Sequence, residues 1–296
     1  NSGAKLGDAT QLIKVVPEVP NFELVNRVLS GPEGSGDKAY IYSSPYSNIG
    51  HIRGTIPPSK SGFTIKGATP DPALYAAHCL TKALEKKGLK VKHKASTVRL
   101  LQLAKEKIPT KGKRIHSLQS PALKDIVFWT NKQSVNLFAE HLLRTMGKEQ
   151  YGRGSIENGL KAVEQFWKER GVSVAGLIMH DGSGLSPLNA VSAKTLTQMQ
   201  AKFTKDANYT AYYNSLAVAG DSNDKGYLKS FMRGTGAANN MRVKSGYIGG
   251  HRAYTGYVYT KEKELLAFTI IVNKYSCSNS KMKKKIERLL ASLVNA

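Results

Sequence analysis

A chain of 296 residues can bury a full hydrophobic core, and at about 150 residues per domain it is expected to hold two. Its 44 Lys and Arg against 21 Asp and Glu leave a net charge of +23 and a pI near 9.9, which points to an anionic partner: nucleic acid, an acidic polymer or anionic lipid. Cys79 and Cys277 allow one disulfide at most, no paired C-x-x-C spacing suggests a metal site, and no run approaches the roughly 18 apolar residues of a membrane-spanning helix.

Asn1-Ser2-Gly3-Ala4-Lys5 is neither an initiator methionine nor a signal peptide, so the chain is expected to begin part-way through a longer protein. Residues 11–16, 22–28, 38–42 and 49–56 favour strands separated by Gly, Pro, Ser and Asn clusters. From Asp71-Pro72 to Lys87-Gly88, Leu74, Ala77, Cys79, Leu80 and Leu84 recur at helical spacing, with Pro in the first turn and Gly at the end. Residues 90–115 are basic and mixed, carrying Lys90, Lys92, Lys94, Lys111, Lys113 and Arg114, and the domain boundary is placed near 114. This divides the chain into a β-rich domain over 1–114, with its helix at about 72–88, and a second domain over 115–296.

In the second domain, helical patterns start at Ser120-Pro121, at Ser134, which is read as a polar cap on an apolar helix, and at Ser155, the last ending at Gly171. A turn-rich loop spans 181–189, and Ser192 caps a helix to about Phe203. Three strands at 241–250, 253–260 and 265–272 read as an antiparallel meander, and a Lys-rich amphipathic helix closes the chain over 280–293. The class is α+β, an antiparallel sheet with a helical cluster. In the first meander strand, alternation puts Lys244 and Gly246 on one face and Val243, Ser245 and Tyr247 on the other. A lysine, a hydroxyl and a glycine in order make a small anion-binding edge, with Gly246 leaving room for a ligand beside the backbone. Alone this is an ordinary solvated strand end, as Ser134 with Asn136 is an ordinary helix start.

Order and context add to this. Ser134-x-Asn136 opening an apolar helix, the Asp181-Gly-Ser-Gly-Leu-Ser loop, and Lys244-Ser245-Gly246 before a meander resemble the serine penicillin-binding proteins and β-lactamases. The resemblance is closest to the low-molecular-mass class C penicillin-binding proteins, the D-alanyl-D-alanine carboxypeptidase/endopeptidase family. Its Ser-Pro-x-Leu, N-K-x-S-x-N-L-x-A-E, D-G-S-G-L-S-x-x-N and K-[TS]-G patterns are similar to Ser120 to Leu123, Asn131 to Glu140, Asp181 to Asn189 and Lys244 to Gly246. Further likeness lies at Ala217 to Gly220, Gly54 to Pro57 and Asp71-Pro72.

The resemblance implies a β-lactamase/penicillin-binding-protein-like domain with an inserted β-rich domain, and serine acyl transfer on the D-Ala-D-Ala end of peptidoglycan stem peptides. β-Lactams would be acylating mimics, the location extracytoplasmic and no cofactor or metal required. Lys244 and Ser245 would receive the substrate carboxylate, Gly246 would let the peptide lie antiparallel, and the Tyr247 N–H would be one of two oxyanion donors. Ser134 would relay a proton to the leaving amine and Asn136 would hold the substrate amide. The family's nucleophile is the Ser of an S-x-x-K at the start of a buried helix. Here S-x-x-K occurs at Ser2/Lys5, Ser35/Lys38, Ser222/Lys225, Ser278/Lys281 and Ser280/Lys283, all in turns or on a basic helix, and all are read as chance. The chain is therefore expected to be the C-terminal two-thirds of a family member, inactive alone.

Pro187 stands where some members carry an Arg that binds the side chain of the substrate's diamino acid. His141 and His180 are read as surface and loop residues, Cys277 as a spectator thiol, and the Lys281 to Lys285 run as a solvated face that can hold the protein peripherally against wall polymers or membrane. A non-catalytic peptidoglycan- or β-lactam-binding relative is the alternative. Nucleic acid is not an expected partner, since aromatics do not cluster with the basic residues.

Overall fold

The computed structural model describes residues 1–109 and 112–296, so Lys111 lies outside the described residues. Contacts divide the chain into two units, Asn1–Ser117 and Leu118–Ala296.

In the first unit, β1 (Glu23–Ser30), β2 (Lys38–Tyr42) and β3 (Ile49–Ile56) form a sheet in the order β1-β3-β2. β1 and β3 are parallel, with Glu23 opposite Ile49, and β2 runs antiparallel to β3, with Lys38 opposite Thr55. Alternation turns Val28, Ala39, Ile52 and Ile56 to one buried face, where Leu24, Ile41, Phe63 and Ile65 join them. The strand expected over 11–16 is not one. Chain pairing with β1 occurs earlier, where Gly7 N donates to Ser30 O and Thr10 N to Val28 O. The Asn26 side chain then takes the Thr10 carbonyl at 2.8 Å and ends the ladder, leaving Ile13 and Val16 exposed.

Helix α1 (Pro72–Lys86) starts as its sequence directs, with the Asp71 carboxylate accepting the Leu74 N–H at 3.0 Å and Pro72 in the first turn. That bond is the main influence holding the Asp71 carboxyl below its ordinary range, against burial and with help from Arg99. Helix α2 (Val98–Leu103), capped by Thr97, falls in the stretch read only as basic and mixed. Six residues give too little periodicity to register.

The second unit opens with α3 (Leu123–Lys132), α4 (Asn136–Tyr151) and α5 (Ile156–Glu169). Two short strands, β4 (Leu177–Ile178) and β5 (Ala190–Val191), pair antiparallel and close the base of the 179–189 loop. Next come α6 (Ala193–Phe203), capped by Ser192, α7 (Tyr209–Ser215) and β6 (Ala217–Val218). Strands β7 (Arg242–Ile248), β8 (His251–Tyr259) and β9 (Leu265–Val272) follow, then α8 (Asn279–Ser292). The meander thus gains a fourth strand: the sheet order is β6-β7-β8-β9, antiparallel throughout.

One face of this sheet packs Val243, Tyr254, Val258 and Phe268 against Phe231, Met241, Ile286, Leu290 and Val294. Phe231 stacks on Tyr254 with ring centroids 4.4 Å apart. On the other face the Tyr257 ring meets Tyr209, Tyr212 and Tyr213, and its hydroxyl donates to Gln200 O at 2.8 Å. Burial pushes the Tyr257 phenol far up and the Tyr209 phenol up to about 12, so both stay neutral. Among the described residues no helix is long and apolar enough to cross a membrane.

Candidate active site

Ser134 sits in the turn between α3 and α4 with φ of 50°, a left-handed conformation that side-chain-bearing residues adopt at a cost. It does not cap α4 as expected. The residue at the cap position is Val135, whose side chain has no acceptor to offer, and the Ser134 hydroxyl is committed elsewhere. It accepts from the Lys244 ammonium at 2.9 Å, and the same ammonium donates to Ser245 O at 2.7 Å. The helix pattern and the strand pattern, 110 residues apart in sequence, are thus in direct contact. Lys244 is half-buried, and loss of hydration lowers its pKa from the ordinary lysine value. Asn136 is the first residue of α4 and is exposed.

Strand β7 has a protected half and an open half. β6 pairs only with Arg242 and Val243. The Met241 carbonyl accepts Ala219 N–H at 2.9 Å, so this edge receives the backbone groups of residues 241, 243, 245 and 247 by the two-residue period of a strand. Beyond β6, the C=O and N–H of Ser245 and Tyr247 therefore face outward along an edge with no strand partner among the described residues. A Cβ on Gly246 would come no nearer than 4.0 Å to any atom, so packing within the chain does not require glycine there. Tyr247 is exposed, its hydroxyl accepts Asn279 Nδ2 at 2.9 Å, and the Arg252 guanidinium lies 4.8 Å from its ring centre.

The Asp181 loop is held from two sides. Asp181 accepts Gly184 N and Ser186 N, each at 2.6 Å, and Asn189 Nδ2 at 3.0 Å. Burial raises its pKa, but the bonds from Asn189, Ser186 and Gly184 prevail and the net shift is downward. Glu140, one turn into α4, accepts the N–H groups of Gly182 and Ser183 at 3.1 Å. A Cβ at Gly182 would stand 2.7 Å from Ala139 O, so only glycine lets the loop lie against α4. Pro187 and Leu188 sit at the loop's tip, with Leu188 exposed.

Sequence reasoning missed Glu140 as a clamp and, more completely, Lys132, whose buried side chain pairs with Asp224. Only the run of motif letters around Ser134 signals either. His141 and His180 are exposed, and Cys79 and Cys277 are free thiols. Ser2 Oγ is occupied with Pro57 O and Lys60 N, and Ser278 caps α8. Lys281 meets Ser278 only through its backbone N–H, which the Ser278 hydroxyl accepts at 3.3 Å, and among the described residues no His, Cys, Asp and Glu cluster has the make-up of a metal site. A cleft of about 230 Å³ in the first unit, beside Tyr46, Asp71 and Arg99, contains none of Ser134, Asn136 and Lys244 to Tyr247.

The family model described as D-Ala-D-Ala carboxypeptidase 3 (S13) matches residues 2–294. The chain belongs to this family. It is 33% identical over 256 residues to a D-alanyl-D-alanine carboxypeptidase of Actinomadura sp. (strain R39), covering 86% of this chain and 46% of that protein. It is 24% identical to the D-alanyl-D-alanine carboxypeptidase DacB of Haemophilus influenzae, covering 81% and 48%. The chain thus spans about half the length of the curated relatives it matches. The crystal structure of penicillin-binding protein 4 (dacB) from Haemophilus influenzae, complexed with a β-lactam, superposes with a TM-score of 0.77 at 21% identity, covering 94% of this chain and 64% of that one. The expected fold, an α+β penicillin-binding-protein-like architecture, is borne out.

Proposed function

We propose that this S13 chain forms one wall of a serine acyl-transfer site for peptides ending in D-Ala-D-Ala, giving carboxypeptidase and endopeptidase action on peptidoglycan stem peptides outside the cytoplasm. The contact between Lys244 and Ser134 beside the open half of β7 carries this reading. The terminal carboxylate of the substrate docks on the Lys244 ammonium and the Ser245 hydroxyl, a charge-assisted contact. The peptide extends antiparallel along the open edge, with Gly246 leaving space for its backbone and Asn136 holding an amide. Attack by a serine hydroxyl on the penultimate D-Ala carbonyl builds negative charge on its oxygen, and the outward Tyr247 N–H is one of the two donors that receive it. Ser134, already on Lys244, passes a proton to the departing D-alanine amine, and water then releases the acyl group.

The nucleophile belongs to an S-x-x-K segment, and no residue described above fills that role. The outer edge of strand β9 has no strand partner among the described residues. An unpaired apolar edge such as Leu265–Val272 accepts further strands. The first unit is the inserted β-rich domain of this reading. β-Lactams enter as acylating mimics of D-Ala-D-Ala, no cofactor takes part, and Pro187 alters recognition of the diamino acid side chain. The second reading, a binder that keeps the cleft without the chemistry, is favoured only by the lack of an S-x-x-K serine beside Lys244.

Labelling by a fluorescent penicillin separates the two. A polypeptide in which an S-x-x-K helix completes the cleft is expected to be acylated, and the 296-residue chain alone is not. Normal acylation of both Lys244→Ala and Ser134→Ala in the completed protein would overturn the assignment.

A further inference from the structure

Three consecutive side chains immediately before Ser134 reach the same stretch of the second unit. Asn131 Nδ2 donates to Ser215 Oγ at 2.7 Å, the Lys132 ammonium pairs with Asp224 Oδ1, and Gln133 Nε2 donates to the Lys225 carbonyl. The Lys132 and Asp224 side chains are only 4% and 6% exposed, while Lys132 ends a helix whose other residues are all at least partly exposed. Asp224 is itself fixed: its second oxygen accepts Gly226 N–H at 2.8 Å. Gly226 lies so close to β6 that a Cβ there would be 2.7 Å from the Ala217 Cβ. Ala217 is paired with Val243, the neighbour of Lys244. A continuous path of contacts therefore runs from the residues holding the Ser134 turn, through Asp224 and β6, to the strand that carries Lys244.

Ser134 needs such support, because its backbone occupies a region that side-chain-bearing residues rarely adopt and its hydroxyl meets Lys244 only from there. We propose that Lys132 and Asp224 are positioning residues which, with Asn131 and Gln133, brace the Ser134 turn against β6 and so hold its hydroxyl on the Lys244 ammonium. The consequence for catalysis rests on the reading of Ser134 as proton relay; the brace itself does not. A buried ion pair is also a poor choice for stability alone, since apolar side chains of similar volume often serve as well.

The test replaces both charges at once, Lys132→Met with Asp224→Leu, which leaves no unpaired buried charge. Gln133→Ala, a half-buried position, serves as the variant whose fold is not at risk. The first readout uses the 296-residue chain itself: titration of Lys244 followed by NMR of its labelled side-chain methylene, assigned with Lys244→Arg. In the parent Lys244 titrates below the ordinary lysine value; in both variants, still folded by circular dichroism, the midpoint is expected to move up as the turn relaxes and water reaches the ammonium. An unchanged midpoint in both variants overturns the proposal. The second readout is penicillin acylation of the completed protein, where the acylation step should slow by roughly tenfold or more with non-covalent affinity preserved. A shifted Lys244 with unchanged acylation would leave the brace standing and remove Ser134 from the reaction. Failure of the parent to acylate would remove the functional reading alone.

Discussion

The Asp181 loop and the far half of β7 treat their polar groups in opposite ways. In the loop, both oxygens of Asp181, one of Glu140 and the amide of Asn189 are engaged within the chain. Along β7 past Val243, the outward groups of Ser245 and Tyr247 have no strand beside them, and one ammonium serves Ser134 and Ser245 together. A framework is stiff because its hydrogen bonds are satisfied internally, whereas a recognition edge keeps donors and acceptors for a ligand. Substitutions in the loop should therefore register as lost stability, and substitutions on the edge as lost chemistry at nearly constant stability.

The largest expected effect is on the edge. Lys244→Ala in the completed protein should lower the rate of β-lactam acylation by about 10²-fold or more, the scale of removing one preorganised electrostatic donor. Its melting temperature should hold, measured by calorimetry, because Lys244 is half-buried and pairs with a hydroxyl rather than a carboxylate. A large loss of stability would erase the contrast between the two regions.

In the loop, Glu140→Ala leaves the Gly182 and Ser183 N–H groups without their acceptor and should cost about 1–3 kcal/mol in denaturant unfolding. Asp181→Asn should act in the same direction and adds a pH signature. The folded-state pKa of Asp181 is depressed, so its contribution is present above the unfolded value of 3.8 and is lost as pH falls through the lower folded value. The parent should thus lose stability on acidification more steeply than Asp181→Asn.

On the alkaline side the edge sets the limit. The Lys244 pKa is lowered, so the ammonium that receives the substrate carboxylate is lost before pH reaches the ordinary 10.5. Acylation of a carboxylate-bearing β-lactam should decline on that limb below 10.5, while Lys244→Arg should carry it to higher pH. The smallest effect belongs to the exposed cations of α8. Lys281, Lys284, Lys285 and Arg288 make no ion pair among the described residues, and converting them to Gln should change stability by no more than about 0.5 kcal/mol.

Most of the secondary structure was legible because it rests on local signals. Asp71-Pro72 and Ser155 start helices by capping and first-turn chemistry, and strand alternation marks 38–42 and 265–272. The strand expected over 11–16 failed because a strand also needs a partner edge, and the Asn26 side chain removes it. Short α7 and β6 lacked the length for a period to show.

The site divides the same way. Lys244, Ser245 and Gly246 were visible as an ordered polar triplet on a strand, and Ser134 and Asn136 as a helix entry, so the residue types and their order came from the sequence. That Ser134 is no cap, that its hydroxyl rests on Lys244, and that β6 stops after two pairs so that the β7 edge stays open came only from tertiary structure. These depend on contacts between segments distant in sequence, 110 residues apart for Ser134 and Lys244, which local propensity does not encode. The sequence by itself determined which chemical groups the chain carries and in what order; packing decided which of them are consumed inside the fold and which remain for a substrate, because burial and hydrogen bonding are properties of the folded neighbourhood and not of the residue.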